Sequence, residues 1–234
     1  MGRYTLKVNK TLILSDREHG NIQASFEYFM KFNIPKNAKI LDIGCNYGSL
    51  IYNLYLNGYE NIYGIDINKK AVQEGKNDYK LISKNIKQYP GEKVPFKDEE
   101  FDVVLMFDVI EHILNIEKFL ENEVYRVLKK DGYFVFQTPN KYINIPWEIV
   151  SSKSLIKWKE WKDYHCSLQT KNSLNSLLIK SGFSNILLEK NKICTEHNKT
   201  KLRKRFGFIG PILLMILEKM PLSFYPNFYG CARK

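Results

Sequence analysis

With 234 residues, 44% hydrophobic and 14% aromatic, the chain carries enough apolar surface to bury its own core, which excludes a disordered segment or a disulfide-stapled miniprotein. Its four cysteines, Cys45, Cys166, Cys194 and Cys231, are widely spaced and form no C-x-x-C pair, and no apolar run is long enough to span a bilayer or serve as a signal peptide, so a soluble cytoplasmic protein is expected. Lys plus Arg exceed Asp plus Glu by 36 to 25, and the net +11 reads first as a solvated basic surface and only then as attraction for anionic partners.

In chain order, residues 16–32 have the apolar spacing of an amphipathic helix, with Ile22, Phe26, Phe29 and Met30 on one stripe, ended by Pro35 and Asn37. A short buried strand is predicted over 38–43, a turn over 44–48 and a helix from 50 to 56. A second strand follows over 61–66 and a helix over 68–77; Leu81 and Ile82 are placed in a third strand and 101–106 in a fourth. The unbroken apolar run of that fourth strand is typical of a strand covered on both faces. A helix over 116–128 is closed by Lys129, Lys130 and Gly132, and 133–138 is a fifth strand stopped by Pro139. Strands alternating with helices at this spacing imply right-handed βαβ units and a parallel sheet.

Beyond that point the pattern changes. Residues 142–168 read as an irregular stretch carrying Trp147, Trp158, Trp161 and Tyr164. A helix over 170–180 has Thr170 or Asn172 as cap and Gly182 as terminator, and 183–189 and 228–233 read as two more strands. Between these lies an insert in which Lys199, Lys201, Arg203, Lys204 and Arg205 run into the apolar segment 206–217. The whole is read as one domain over 1–234. It divides into an N-terminal helical cap (1–37), a βα core (38–140), an aromatic lid or acceptor region (141–169) and a C-terminal part (170–234) with its insert at 192–227.

The chemistry concentrates at the first strand–turn–helix. Glycine at 44 and 48 lets backbone approach a ligand and frees amides at a helix start. Asp66 ends the next strand, where a carboxylate can accept from both hydroxyls of a ribose. A dinucleotide fingerprint would need glycine at 46 and 49, where Asn46 and Ser49 stand, and no lysine follows as in a phosphate loop. Asp42 before the first glycine would repel a pyrophosphate but attract an amino group and a sulfonium. The turn therefore suits a cofactor carrying positive charge.

The segment Asp42-Ile43-Gly44-Cys45-Asn46-Tyr47-Gly48 resembles the first motif of class I S-adenosylmethionine-dependent methyltransferases, and Tyr63-Gly64-Ile65-Asp66 resembles the next. Residues 101–113, from Phe101-Asp102-Val103-Val104 to Glu111-His112-Ile113, are similar to the fourth-strand segment of the small-molecule branch, the ubiquinone-biosynthesis O-methyltransferase-like group. Residues 128–136 resemble its following strand. The resemblance implies a Rossmann-like, doubly wound α/β fold with a mostly parallel seven-stranded sheet and an antiparallel last strand. It also implies S-adenosyl-L-methionine as cofactor, with Asp42, Gly44, Cys45 and Gly48 around its methionine part and Asp66 with Ile67 at the ribose and adenine. Asn85 stands where the family usually has an aspartate facing the adenine, and Phe107 and Asp108 would lie beside the reactive methyl.

His112 reads either as a general base near the acceptor or, with Glu111, as a residue fixing the start of a helix; His165 matches a second family histidine, catalytic or structural. With Asp108, these are the catalytic candidates. No metal is expected, since Cys194 and His197 offer two donors where a structural zinc site needs four. The expected acceptor is a small, glycan-linked or lipid-linked molecule methylated on oxygen, with peripheral membrane contact through 199–217. Nucleic acid is not expected, because the basic residues are dispersed. The competing readings are an RNA-binding methyltransferase-like module and a non-catalytic S-adenosylmethionine-binding protein; the oligomeric state is left open.

Overall fold

The computed structural model describes residues 3–8, 10–15, 22–152, 155–193 and 196–234. Two antiparallel strands, β1 (Arg3–Val8) and β2 (Lys10–Ser15), precede α1 (Ile22–Met30). The core then runs β3 (Ile40–Ile43), α2 (Ser49–Leu56), β4 (Ile62–Asp66), α3 (Lys69–Asp78), β5 (Ile86–Gln88) and β6 (Phe101–Phe107). After β6 come α4 (Ile116–Phe119), which continues as a wider π-helical turn (Leu120–Tyr125), and β7 (Leu128–Pro139). The C-terminal part adds α5 (Lys141–Ser152), α6 (Leu155–Tyr164), α7 (Lys171–Lys180), β8 (Ser184–Glu189), α8 (Glu196–Phe206), α9 (Ile209–Lys219) and β9 (Asn227–Arg233).

β3 to β9 form one seven-stranded sheet in the order β5-β4-β3-β6-β7-β9-β8, in which β9 alone opposes its neighbours. This is the doubly wound Rossmann-like sheet with its antiparallel final strand. Side chains alternate between two covered faces, as the two-residue period of a strand demands. Val104 and Met106 of β6 join Leu41, Ile43, Phe134 and Phe136 in one buried cluster with Val124 and Leu178. Val103 and Leu105 join Ile40 and Val135 in the other, beneath Phe26, Phe29, Ile51 and Leu54 of α1 and α2.

The chain leaves β3 toward β4 and β5 and later returns to lay β6 on β3's other side, so the strand order reverses between β3 and β6. A doubly wound sheet opens its ligand crevice at the carboxyl ends of the strands flanking that reversal.

Four expectations change. Residues 3–15, assigned to a helical cap, form a hairpin: Leu12 is buried in the cluster under α1 and α2, and strand pairing uses the two-residue alternation around it. Residues 16–21 of the expected first helix lie outside the described residues. Leu81 and Ile82 sit in a 3₁₀ turn (Lys80–Ile82), and the third strand is β5, because Ile82 packs on the α2 side of the sheet. The stretch 142–168, expected to be irregular, is largely the two helices α5 and α6, and α5 accommodates Pro146 within its length despite the lost amide donor. Leu128 to Gly132, read as a helix end, already belong to β7. By contrast, Thr170 caps α7 in a reciprocal box with Ser173, and Gly182 follows with φ +92°.

Candidate active site

The crevice is built from four consecutive strand ends. At the end of β3, Asp42 is buried, and Gly44 turns the chain with φ +81° while its amide donates to the Ile65 carbonyl at 2.8 Å. A Cβ on Gly44 would come within 2.3 Å of Val109 Cγ2, so the turn after β3 and the loop after β6 touch across the reversal point. Gly48, at φ +85°, opens α2 with no side chain capping the helix start, where backbone amides favour polar or anionic ligand groups. Close packing holds the turn from below: a Cβ on Gly75 of α3 would lie 2.0 Å from the Tyr47 carbonyl oxygen. Neither contact is encoded in local sequence spacing.

At the end of β4, Asp66 points inward. One carboxylate oxygen accepts from the Asn46 amide at 2.8 Å and the other from the Asn68 amide at 2.7 Å. Each oxygen keeps a further lone pair, so a pair of vicinal hydroxyls can be received by a carboxylate whose position is fixed from both sides. Ile67 beside it is exposed, as a residue offering an apolar surface to a flat ring should be.

Asn85 does not join this group. It precedes β5, level with the early part of β4, and its amide nitrogen donates to the Ile62 carbonyl at 2.8 Å. The residues that β5 brings level with Asp66 are Gln88 and, next in chain, Tyr89, whose phenol is pushed up to about 12 by burial and then by the Asp66 charge.

At the end of β6, Phe107 is partly buried and Asp108 adopts φ +55°, its amide bonded to the Gln137 carbonyl at 3.2 Å and to Gln137 Oε1 at 3.0 Å. Asp108 is exposed on its outer side, while desolvation by the protein around it pushes its carboxyl above the usual range, against the opposing pull of Gln137 and His112. Three residues on, Glu111 is buried in a 3₁₀ turn (Ile110–His112) and accepts from the Thr138 hydroxyl at 3.0 Å. Burial first, and the Asp108 charge second, push Glu111 up to about 8.

A carboxyl raised from an ordinary 4.5 to about 8 holds its proton better in the folded chain than in the unfolded one. Its contribution to stability is complete below about 4.5 and declines as pH rises toward 8, by at most about 1.4 kcal/mol per pH unit. Glu111→Gln should therefore flatten the fall in chemical-denaturation stability between pH 5 and 8; an unchanged slope would place the shift elsewhere.

The two histidines converge from distant stretches. His112 Nδ1 lies 3.0 Å from the Tyr164 carbonyl, and His165 Nδ1 lies 3.0 Å from the Trp161 carbonyl. Their rings are 4.7 Å apart, flanked by Tyr164 and Trp161. Carbonyls only accept, so in neutral rings Nδ1 carries the hydrogen and each Nε2 keeps its lone pair. Burial holds His165 below its ordinary value, against the Trp161 carbonyl, which pulls the other way. The Ser167 amide donates to the Glu111 carbonyl at 2.9 Å, pinning the segment after α6 onto the turn after β6.

Cys194, one of the weighed metal donors, lies outside the described residues. Among the described residues, one ligand atom each from Glu111, His112 and His165 gathers, all within 4.8 Å of one another. Three donors are fewer than the four of structural zinc, and two histidines with one carboxylate match the protein ligand set of an open catalytic site.

Comparison with known proteins bears on family and fold. A family model described as a methyltransferase domain matches residues 15–188. The chain is 33% identical over 125 residues to a ubiquinone biosynthesis O-methyltransferase of Pelagibacter ubique, covering 53% of this chain and 51% of that one. It is 32% identical over 118 residues to a sarcosine/dimethylglycine N-methyltransferase of Aphanothece halophytica, covering 49% and 42%. The chain thus spans about half the length, or less, of these curated relatives. Among solved structures, an S-adenosylmethionine-dependent methyltransferase from Mesorhizobium loti superposes with a TM-score of 0.63 at 17% identity, covering 92% of this chain and all of that one, a likeness of fold.

Proposed function

The chain belongs to the methyltransferase-domain family, a domain that works with S-adenosylmethionine, and on that premise we propose that it methylates an oxygen of a small-molecule acceptor. The donor fits the residues present: two buried carboxylates, Asp42 and Asp66, and a glycine turn without phosphate-binding lysine favour a cationic nucleoside over a pyrophosphate. When bound, S-adenosylmethionine supplies a methyl group on positively charged sulfur.

The observation that carries the oxygen reading is the pair of imidazoles of His112 and His165, each with Nδ1 on a backbone carbonyl, which leaves Nε2 as the acceptor in the neutral ring; that of His112 lies 3.8 Å from Glu111 Oε1. An acceptor hydroxyl must surrender a proton as its oxygen gains a methyl group, and a neutral imidazole within hydrogen-bond reach receives it. Either histidine can hold that proton while the other, through its carbonyl partner, fixes the ring geometry. Glu111, kept protonated near neutral pH, anchors the turn without adding charge beside Asp108. Trp161 and Tyr164 at the end of α6 lie against the two histidine rings, on the side where an acceptor has to be aligned and water excluded.

The test is turnover of methyl-labelled S-adenosylmethionine with panels of hydroxyl-bearing and amine-bearing acceptors. Product on hydroxyl acceptors is expected, with His112→Ala and His165→Ala together lowering kcat by roughly 10²- to 10⁴-fold. Donor affinity should stay within about twofold. Methylation confined to amines, or turnover insensitive to both histidines, would sink the reading.

A further inference from the structure

The helices α8 and α9 form a hairpin at the same rim as the crevice. β8 ends and β9 begins at the carboxyl edge of the parallel strands, since Glu189 pairs with Tyr229 and Asn227 with Pro139, so the whole connection between them rises from that edge. It is tied down there. Buried Asn140 donates to the Ser223 and Tyr225 carbonyls at 2.9 and 2.8 Å, and Asn144 donates to Pro226 at 2.8 Å.

The inner face of α9 is fully used. Leu214 packs with Ile193 and Tyr225, alongside Leu202, Leu217 and Leu222, and Gly210 meets the Leu202 carbonyl so closely that a Cβ would lie 2.4 Å from it. The outer face is apolar as well. Ile209, Ile212, Leu213 and Ile216 recur at the spacing of one helical stripe and are exposed by 50%, 49%, 37% and 54%, with Phe208 exposed by 77% just before them. Phe206 continues this surface to Trp147 of α5, ring centroids 5.4 Å apart. A stripe of this size facing water marks an interaction surface.

Charge selects the occupant. Residues 199–219 contain Lys199, Lys201, Arg203, Lys204, Arg205 and Lys219 against Glu218 alone. Glu218 accepts from the Ile193 amide, while Arg203 and Lys204 are exposed. A second copy docking through this face would bring like charges together, whereas an anionic bilayer satisfies both the apolar stripe and the cations. Among the described residues no helix is long and apolar enough to cross a membrane, which leaves a helix lying in the interface. We propose that the α9 outer stripe, flanked by the cations of α8, seats this protein on an anionic lipid surface with the mouth of its crevice turned toward the bilayer. The proposal is independent of which acceptor atom is methylated.

The experiment is sedimentation of the full chain with phosphatidylcholine vesicles containing or lacking phosphatidylglycerol. Co-sedimentation with the anionic vesicles alone is expected. Ile212→Ser, Leu213→Ser and Ile216→Ser combined should lower the bound fraction at least tenfold, as should Arg203→Glu with Lys204→Glu. Donor titration and melting temperature, unchanged in both variants, show that they remain folded. Equal binding to neutral vesicles, no binding to either, or binding unmoved by the substitutions overturns the proposal. So does a sedimentation-velocity dimer of the parent chain that the triple variant dissolves, which would give the face to a second copy.

Discussion

Asp66→Ala should raise the Kd for S-adenosylmethionine at least about a hundredfold in calorimetric titration. Two losses add. The ligand forfeits charge-assisted hydrogen bonds to its ribose hydroxyls, and the binding turn forfeits the carboxylate that holds the Asn46 and Asn68 amides. Asp66→Asn keeps one accepting oxygen of the two and should fall between. Asn85→Ala is the contrasting variant: it removes a bond to the Ile62 carbonyl, costs about 1 kcal/mol of stability, and should leave donor affinity within about twofold. If Asp66→Ala bound the donor within threefold of the parent, the crevice at the β3–β6 reversal would not be the donor site.

Gly44→Ala should destabilise the fold by about 2–4 kcal/mol and abolish measurable donor binding. Its backbone occupies the left-handed region, where an alanine costs about 1–2 kcal/mol, and the new Cβ would stand 2.3 Å from Val109 Cγ2. The two contributions can be separated. Val109→Ala removes both offending methyls and leaves a Cβ at 3.4 Å, an ordinary contact. Adding it to Gly44→Ala should recover the steric part but not the conformational part, giving a coupling of about 1–2 kcal/mol in a double-mutant cycle. Strict additivity would mean that the turn and the loop after β6 do not meet.

Much of this architecture was legible because its physics is local. β3, β4 and β6 are short runs covered on both faces and β7 carries an apolar run over 133–136, and the glycine turn declares itself through Asp42, Gly44, Gly48 and Asp66 in order. What stayed hidden depends on partners remote in sequence. β5 is three residues long, too short to carry a period, so Asn85 was read one strand-length from the edge where Gln88 and Tyr89 stand. Pro146 and scattered aromatics disguised α5 and α6, whose helical form is settled by their attachment to the rim. Leu12 betrays the hairpin only once α1 and α2 are there to cover it. Each histidine was visible singly, yet the pairing of His112 with His165 requires the Tyr164 carbonyl to arrive from 52 residues away.

The bond from the Ser167 amide to the Glu111 carbonyl carries a further consequence. The residues expected to hold the donor lie within 42–67 and at 107, whereas the imidazole pair is assembled where 110–112 and 161–167 are clasped together. Under the proposed function, recognition of the methyl source and recognition of its destination are written on separable pieces of chain. On the proposed reading, a lineage can exchange the piece between β7 and α7 to acquire a new substrate while inheriting its nucleoside pocket unaltered.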